Sequence, residues 1–441
     1  MSRRLEILEW SALDERGRAE ALRRPAQREA ARLIEGAGRI VEDVRRRGDA
    51  ALGELTERLD GVRLQSFAVT EAEFAEAAAD LSAEQLAALE RAIGIVTRFH
   101  EMTPPQGVSV ETSPGVRCER IIVPLNAVGL YVPAGTAPLP STALMLAIPA
   151  RIAGCPVRVM CTPPRPDGRA DPAVLTAARL CGVEQVFKLG GAQAVAAMAY
   201  GTATVPKVDK IFGPGNAWVT TAKQIVAADA DGAALDMPAG PSEVLVVADA
   251  TASAAFVAAD LLAQAEHSVD AQVVLVTTDR TLAVACIAEV ERQLALLPRR
   301  AIASKSIAQS RVLLVADLPT ALAVANRYAP EHLILQVDSP RRWLALVRNA
   351  GSVFLGPWTP ETMGDYCSGT NHVLPTYGHA RAYSGLSVHD FVKRITVQEL
   401  TPAGLADLGL TARTLARLET LEGHANAVSV RLEAIARGSN P

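Results

Sequence analysis

Aromatic residues are scarce, 4% of the 441-residue chain, and so is any imbalance of charge, with 44 Lys and Arg against 48 Asp and Glu. A formal charge of −4 leaves no basic surface, so nucleic acid is not an expected partner. No run of about 18 apolar residues occurs, which argues against a membrane span. The opening stretch MSRRLEILEWSALDERGRAEAL has no apolar core flanked by positive charge and does not read as a secretory leader. The six cysteines (Cys118, Cys155, Cys161, Cys181, Cys286, Cys367) have no CxxC spacing, the pattern of reduced thiols. Together these absences predict a cytoplasmic protein. Repeats and low-complexity linkers are missing as well, so the domains are expected to pack closely.

What the chain does have is a change of rhythm. Residues 1–100 carry helical spacing, with Thr70/Glu73 and Ser82/Gln85 placed as capping boxes. From about 118, short Val/Ile runs alternate with Ala-rich helices through Gly-containing turns, the sequence form of a parallel sheet with helical crossovers. A second such series, SEVLVVAD, AQVVLVTTD, RVLLVAD, LILQVD and SVFLG, predicts a second open sheet over 242–356. The tail from about 381 reads as helical and polar.

Three loops at strand ends of the first series could offer backbone N–H groups to a phosphate. They contain Tyr131 in GLYVPAG, Gln193 in GGAQ and Asn216 in GPGN. None is GxGxxG, and each alone could be an ordinary turn. Three on one sheet favour a nucleotide. Histidine is also scarce, with seven in the chain. Gln264 and His267 end a predicted helix three residues apart and share one face. Asp365 and His372 lie in the loop GDYCSGTNHVLPTYG, read as having neither helical nor strand period, and His424 lies in the tail. Gln264, His267, Asp365 and His424 form a mixed N/O set suited to Zn²⁺ or a related ion. Each histidine alone has the commoner reading of a hydrogen-bonded or surface group; His100 reads as structural. Cys367 reads as a small buried hydrophobe more readily than as a nucleophile. Glu331 and His332, at the start of LILQVD, can both serve as general bases. A metal with this pair could run a hydrolysis or an alcohol oxidation, and the nucleotide-like loops favour oxidation.

As an ordered set, VPLNAVGLYVPAG, FKLGGAQAVAAMAYGT, KIFGPGNAWVTTAK, LDMPAGPSEVLVVAD, LLAQAEH, YAPEHL, GDYCSGTNHVLPTYG and VKRITVQEL make the sequence resemble the histidinol dehydrogenase family over nearly its whole length. The resemblance implies an α/β fold of two Rossmann-like open parallel-sheet domains plus small helical N- and C-terminal segments. Its expected divisions are 1–27 (N-terminal helices), 28–130 with 243–380 (metal and catalytic residues), 131–242 (the NAD side) and 381–441 (C-terminal helices reaching a partner subunit). It implies a zinc- and NAD-dependent four-electron oxidation of L-histidinol through L-histidinal to L-histidine in histidine biosynthesis, by a homodimer with intertwined C-terminal segments. Carried over, the zinc ligands are Gln264, His267, Asp365 and His424, the catalytic pair Glu331 and His332. Substrate contacts are those six with Ser242, His372 and Glu419, except that Glu331 acts on water; NAD contacts are Tyr131, Gln193 and Asn216. Two small departures are Cys367 and Gly423, where the family pattern has Ala. Rival readings are a sister zinc/NAD dehydrogenase of another small diol such as sulfopropanediol, a zinc hydrolase, and a binding protein without catalysis.

Overall fold

Thr70 and Ser82 each accept the backbone N–H three residues on, and Glu73 and Gln85 return the bond, opening helices Glu71–Ala79 and Ala83–Glu101. Each such cap contributes about 1 kcal/mol. The computed structural model describes residues 5–24, 30–134, 137–238 and 240–438. The division expected at 27/28 and Gly135 of the GLYVPAG loop lie outside them.

Two parallel sheets carry the chain's long Val/Leu runs. The larger has six strands in the order Ile7–Glu9, Arg311–Leu314, Gln272–Thr277, Glu243–Ala248, His332–Gln336, Ser352–Leu355. Every position of Glu243–Ala248 is buried, because helices cover both faces and an unbroken apolar run replaces alternation. Val244 and Val246 pack with Val257 and Leu261 of helix Ala254–Ala265 on one face. Leu245 and Val247 pack with Ala321, Leu322 and Ala325 of helix Leu318–Tyr328 on the other. Each such Val or Leu contributes about 1.5–3 kcal/mol of burial.

The second sheet has five strands, Gln185–Lys188, Val157–Thr162, Ala127–Tyr131, Lys210–Phe212 and Ala234–Leu235. It is covered in the same way, Val128 and Leu130 facing helices Pro140–Ala153 and Pro172–Leu180. Val159 and Cys161 face helix Gly191–Tyr200.

Three details differ from the sequence reading. Ile7–Glu9, within the expected N-terminal helical segment, is an edge strand paired with Arg311–Leu314. Residues 28–130 were expected beside the six-stranded sheet. Instead Val41, Val44, Leu52 and Leu55 of helices Ala30–Arg47 and Asp49–Leu59 share a core with the five-stranded sheet. VKRITVQEL, expected in a helical tail, is strand Val392–Leu400, antiparallel to Val116–Pro124, which in turn pairs Val108–Ser113. These are long-range pairings that local periodicity does not contain, and Val392–Leu400 has no buried face to impose a period of two.

The chain divides into two units. Met1–Thr103 with Leu125–Phe391 holds both parallel sheets. Pro104–Pro124 with Val392–Pro441 holds the antiparallel sheet and helices Pro402–Leu418 and Glu422–Ala436. Among the described residues no helix is long and apolar enough to cross a membrane.

Candidate active site

The order of the six-stranded sheet reverses at Glu243–Ala248: later strands add first on one side, then on the other. His332 opens its strand in register with Val244 and Ser352. Glu331–His332 and Ser242–Glu243 therefore lie side by side at the amino edge of the sheet. Helix Ala254–Ala265 returns to that edge, carrying Gln264 in its last turn and His267 just beyond, whose N–H donates to the Gln264 carbonyl (3.2 Å). Asp365 comes from the short helix Glu361–Tyr366, so part of the loop expected to be irregular is helical.

His332 is the hub. Its Nδ1 lies 3.0 Å from the Glu243 carbonyl oxygen, which can only accept, and its Nε2 faces Asp365 Oδ1 at 3.4 Å. Glu331 and Glu361 carboxylate oxygens stand 3.8 and 3.9 Å from Nδ1. Burial pushes the imidazole down, but Glu331, Asp365 and Glu361 outweigh it and hold His332 well above its ordinary range. Burial pushes Glu331 up to about 8, against the pull of His332. Burial also raises Asp365, yet His332, His372 and His267 together hold it below the ordinary carboxylate range. These charges act on one another because the four residues converge.

Three supporting groups were not singled out by the sequence. Glu243 donates its backbone N–H to Glu331 Oε2 (2.8 Å) while its carbonyl faces His332. Its buried carboxylate pairs with Arg24, which also donates to the Tyr328 carbonyl (2.8 Å) and stacks on the Tyr328 ring (4.0 Å). Burial pushes Glu243 up against the pull of Arg24. The third is Glu361, four residues before Asp365 and 1% exposed. The i, i+4 spacing within PETMGD was the available signal.

His372 donates from Nδ1 to the Asp365 carbonyl (2.7 Å), and its Nε2 lies 3.1 Å from Thr142 Oγ1. The adjacent Asn371 donates its amide to the Met145 carbonyl (2.7 Å). Thr142 and Met145 belong to a helix of the five-stranded sheet, so this loop is bonded to both layers. Ser242, part-buried, accepts the Gln272 N–H through its carbonyl (3.2 Å).

The three expected nucleotide loops lie at the carboxyl edge of the five-stranded sheet. The Tyr131 hydroxyl accepts the Gly191 N–H (3.0 Å) at the start of helix Gly191–Tyr200. Gln193, buried one turn on, donates to Asp60 (3.2 Å), a residue the sequence did not single out. Asn216 caps helix Ala217–Ala227 through Oδ1, accepting the N–H groups of Trp218 and Val219. Gly213 has φ +120°, and a Cβ there would meet the Tyr131 carbonyl oxygen at 2.1 Å, so only glycine fits. Buried Lys223 and Asp236 pair beneath it and bond its carbonyl and N–H.

Glu419 and His424 belong to the second unit, Glu419 closing helix Pro402–Leu418 and His424 in the first turn of Glu422–Ala436, both exposed. Among the described residues no three His, Cys, Asp or Glu side chains are arranged as a metal site. The donors at the amino edge nonetheless fit zinc in kind: an amide oxygen, an imidazole and a carboxylate leave one tetrahedral position to fill. Buried His332 Nε2, without a hydrogen-bond partner, faces the same space as Asp365. Cys367, half-buried, packs against the core of the five-stranded sheet as a small apolar side chain.

Comparison with known proteins gives the family. Residues 22–432 match the family model described as histidinol dehydrogenase. The histidinol dehydrogenase of Xanthomonas oryzae pv. oryzae is 58% identical over 428 residues, 97% of this chain and 99% of its own length. That of Vibrio vulnificus is 52% identical over 96% of this chain and 97% of its own length. The crystal structure of histidinol dehydrogenase from Elizabethkingia anophelis superposes with a TM-score of 0.92 at 43% identity, covering 98% of this chain and 99% of that one. The chain is an oxidoreductase and belongs to the histidinol dehydrogenase family.

Proposed function

We propose that the amino edge of the six-stranded sheet binds zinc and L-histidinol, and that the carboxyl edge of the five-stranded sheet binds NAD⁺. The observation that carries this reading is the convergence of His332, Glu331, Asp365 and Gln264 around one imidazole in a chain of this family. Gln264, His267 and Asp365 would hold the metal, with His424 supplied by a second copy whose C-terminal segment crosses over. When bound, zinc would fix the substrate's amino and imidazole nitrogens and offset the Asp365 charge, while NAD⁺ accepts hydride.

With the Asp365 charge engaged by the metal, one of the pulls that keep His332 protonated is gone; neutral His332, kept in one tautomer by donating Nδ1–H to the Glu243 carbonyl, takes the alcohol proton at Nε2. In the second oxidation ionised Glu331 draws a proton from water as that water adds to the aldehyde, and His332 returns its proton to the carbonyl oxygen; His332, neutral again, then takes a hydroxyl proton from the hydrate as a second NAD⁺ accepts hydride. Ser242, His372 and the partner copy's Glu419-bearing segment would position the substrate, with Tyr131, Gln193 and Asn216 placing the dinucleotide. Sealing the site keeps the aldehyde from side reactions.

The test is to incubate zinc-loaded protein with histidinol and NAD⁺ and count NADH per histidinol consumed. Two are expected; none, with zinc intact, overturns the reading. A sulfopropanediol control should yield no NADH, since that diol lacks the imidazole that the ligand set is built to hold. Mixing inactive His424→Asn and His332→Asn proteins should restore part of the activity. No rescue despite subunit exchange would place each site within one chain.

A further inference from the structure

Glutamine is an unusual choice for a metal ligand. Its amide is neutral and two-faced: turned one way it presents an oxygen, turned the other way an NH₂ that repels a cation. Something has to choose. Gln264 is fully buried, and with its amide nitrogen facing inward that nitrogen donates to both Glu361 carboxylate oxygens at 3.2 Å and lies 3.0 Å from His332 Nδ1. With the oxygen inward, that oxygen would meet only acceptors.

The two possible acceptors for the amide are not equivalent. When His332 acts as a base at Nε2, its Nδ1 carries the proton and donates it to the Glu243 carbonyl. Nδ1 then has no lone pair for Gln264, and Glu361 is the acceptor that remains. Glu361 is itself 1% exposed, and burial, with Asp365, Asp260 and Glu331, pushes its carboxyl well above the ordinary range against the pull of His332. A buried carboxylate in such company is costly unless hydrogen bonds satisfy it. The amide of Gln264 supplies them. Glu361 also shares a helix face with Asp365, four residues on, so one short helix carries a ligand and the group that turns another ligand outward.

We propose that Glu361 is a positioning residue that locks the Gln264 amide with its oxygen toward the metal and thereby sets the zinc affinity of the site. The inference rests on Gln264 being a ligand, as argued above. Outer partners of this sort change metal affinity by roughly 10- to 100-fold when removed.

The experiment is a cycle of zinc dissociation constants, read by chelator competition on the full-length protein. Glu361→Gln should weaken zinc by roughly 10- to 100-fold, because a Gln at 361 no longer selects one face of the amide. In a Gln264→Glu background the sign should reverse. There the wild-type Glu361 opposes a second carboxylate, and Glu361→Gln supplies an NH₂ for it, so zinc should tighten. Equal weakening in both backgrounds would mean a merely structural residue and would overturn the proposal, as would an unchanged constant in Glu361→Gln. Gln264→Ala separates the two levels: if it leaves zinc affinity intact, the ligand assignment itself fails. If it weakens zinc and Glu361→Gln does not, only the lock fails. Should the Gln264→Glu proteins not fold, the cobalt(II) form of Glu361→Gln decides, since loss of an oxygen ligand must shift its visible bands; an unshifted spectrum refutes the lock.

Discussion

In the proposed reading the two parallel sheets use opposite edges. On the five-stranded sheet the candidate ligand loops follow the strands, so Gly191 and Asn216 sit at helix N-termini. On the six-stranded sheet the site precedes the strands. His332 and Ser242 stand at strand starts, where helix Ala254–Ala265 and helix Leu318–Tyr328 end. A helix carries about half a positive charge at its N-terminus and half a negative charge at its C-terminus. One architecture therefore offers an edge suited to pyrophosphate and an edge suited to a metal cation, and the carboxylates Glu331, Glu361 and Asp365 reinforce the second.

The sharpest way to break this division is to remove the hub of the cation edge. His332→Asn should lower kcat by about 10²- to 10⁴-fold while zinc content and NAD⁺ binding stay unchanged. Unaltered turnover would remove His332 from the chemistry, and lost NAD⁺ binding would show that the two edges are not independent. Next in size is the scaffold behind that edge. Arg24→Met leaves Glu243 buried without its cation and should cost about 3–5 kcal/mol in denaturant titration; a loss under 1 kcal/mol would show that the pair is dispensable.

At the anion edge, Asn216→Ala removes a cap worth about 1 kcal/mol and should raise KM for NAD⁺ without altering zinc affinity. A change in zinc affinity alone would contradict the division. The smallest effect is a control away from both edges. His100 is 1% exposed and its pKa is lowered from 6.5 by burial. The unfolded chain therefore binds the extra proton first: stability is complete above about 6.5 and falls as pH drops through it. His100→Phe should flatten that part of a stability–pH curve measured by thermal melts, and an unchanged slope would mean that His100 is not the titrating group.

Both parallel sheets were legible because short β-branched runs bounded by turn residues, VLVVA and VVLVT among them, read as strands covered on two faces. The capping boxes at Thr70 and Ser82 were legible because their bonds span three residues. The antiparallel sheet was not, since Val392–Leu400 meets Val116–Pro124 across more than half the chain and shows no buried stripe. For the candidate site, Gln264, His267, Glu331, His332 and Asp365 could be picked out by residue type and spacing. Their convergence at strand starts could not, because the usual place to look in an open sheet is the other edge. Arg24, Glu243 and Glu361 stayed hidden for a related reason: a buried charge is indistinguishable in sequence from a solvated one until its burial is seen.

Asn371 and His372 carry a mechanical implication. One residue is bonded to the Met145 carbonyl, the next both to the Thr142 hydroxyl and to the Asp365 carbonyl. They act as a rivet through two plates. If the proposed reaction consumes two dinucleotides per substrate, spent cofactor must leave while an aldehyde stays behind. A hinge opening freely between the layers would spill it. With the layers bonded at this point, exchange in that reaction is expected by movement at the dinucleotide rim rather than by parting of the layers.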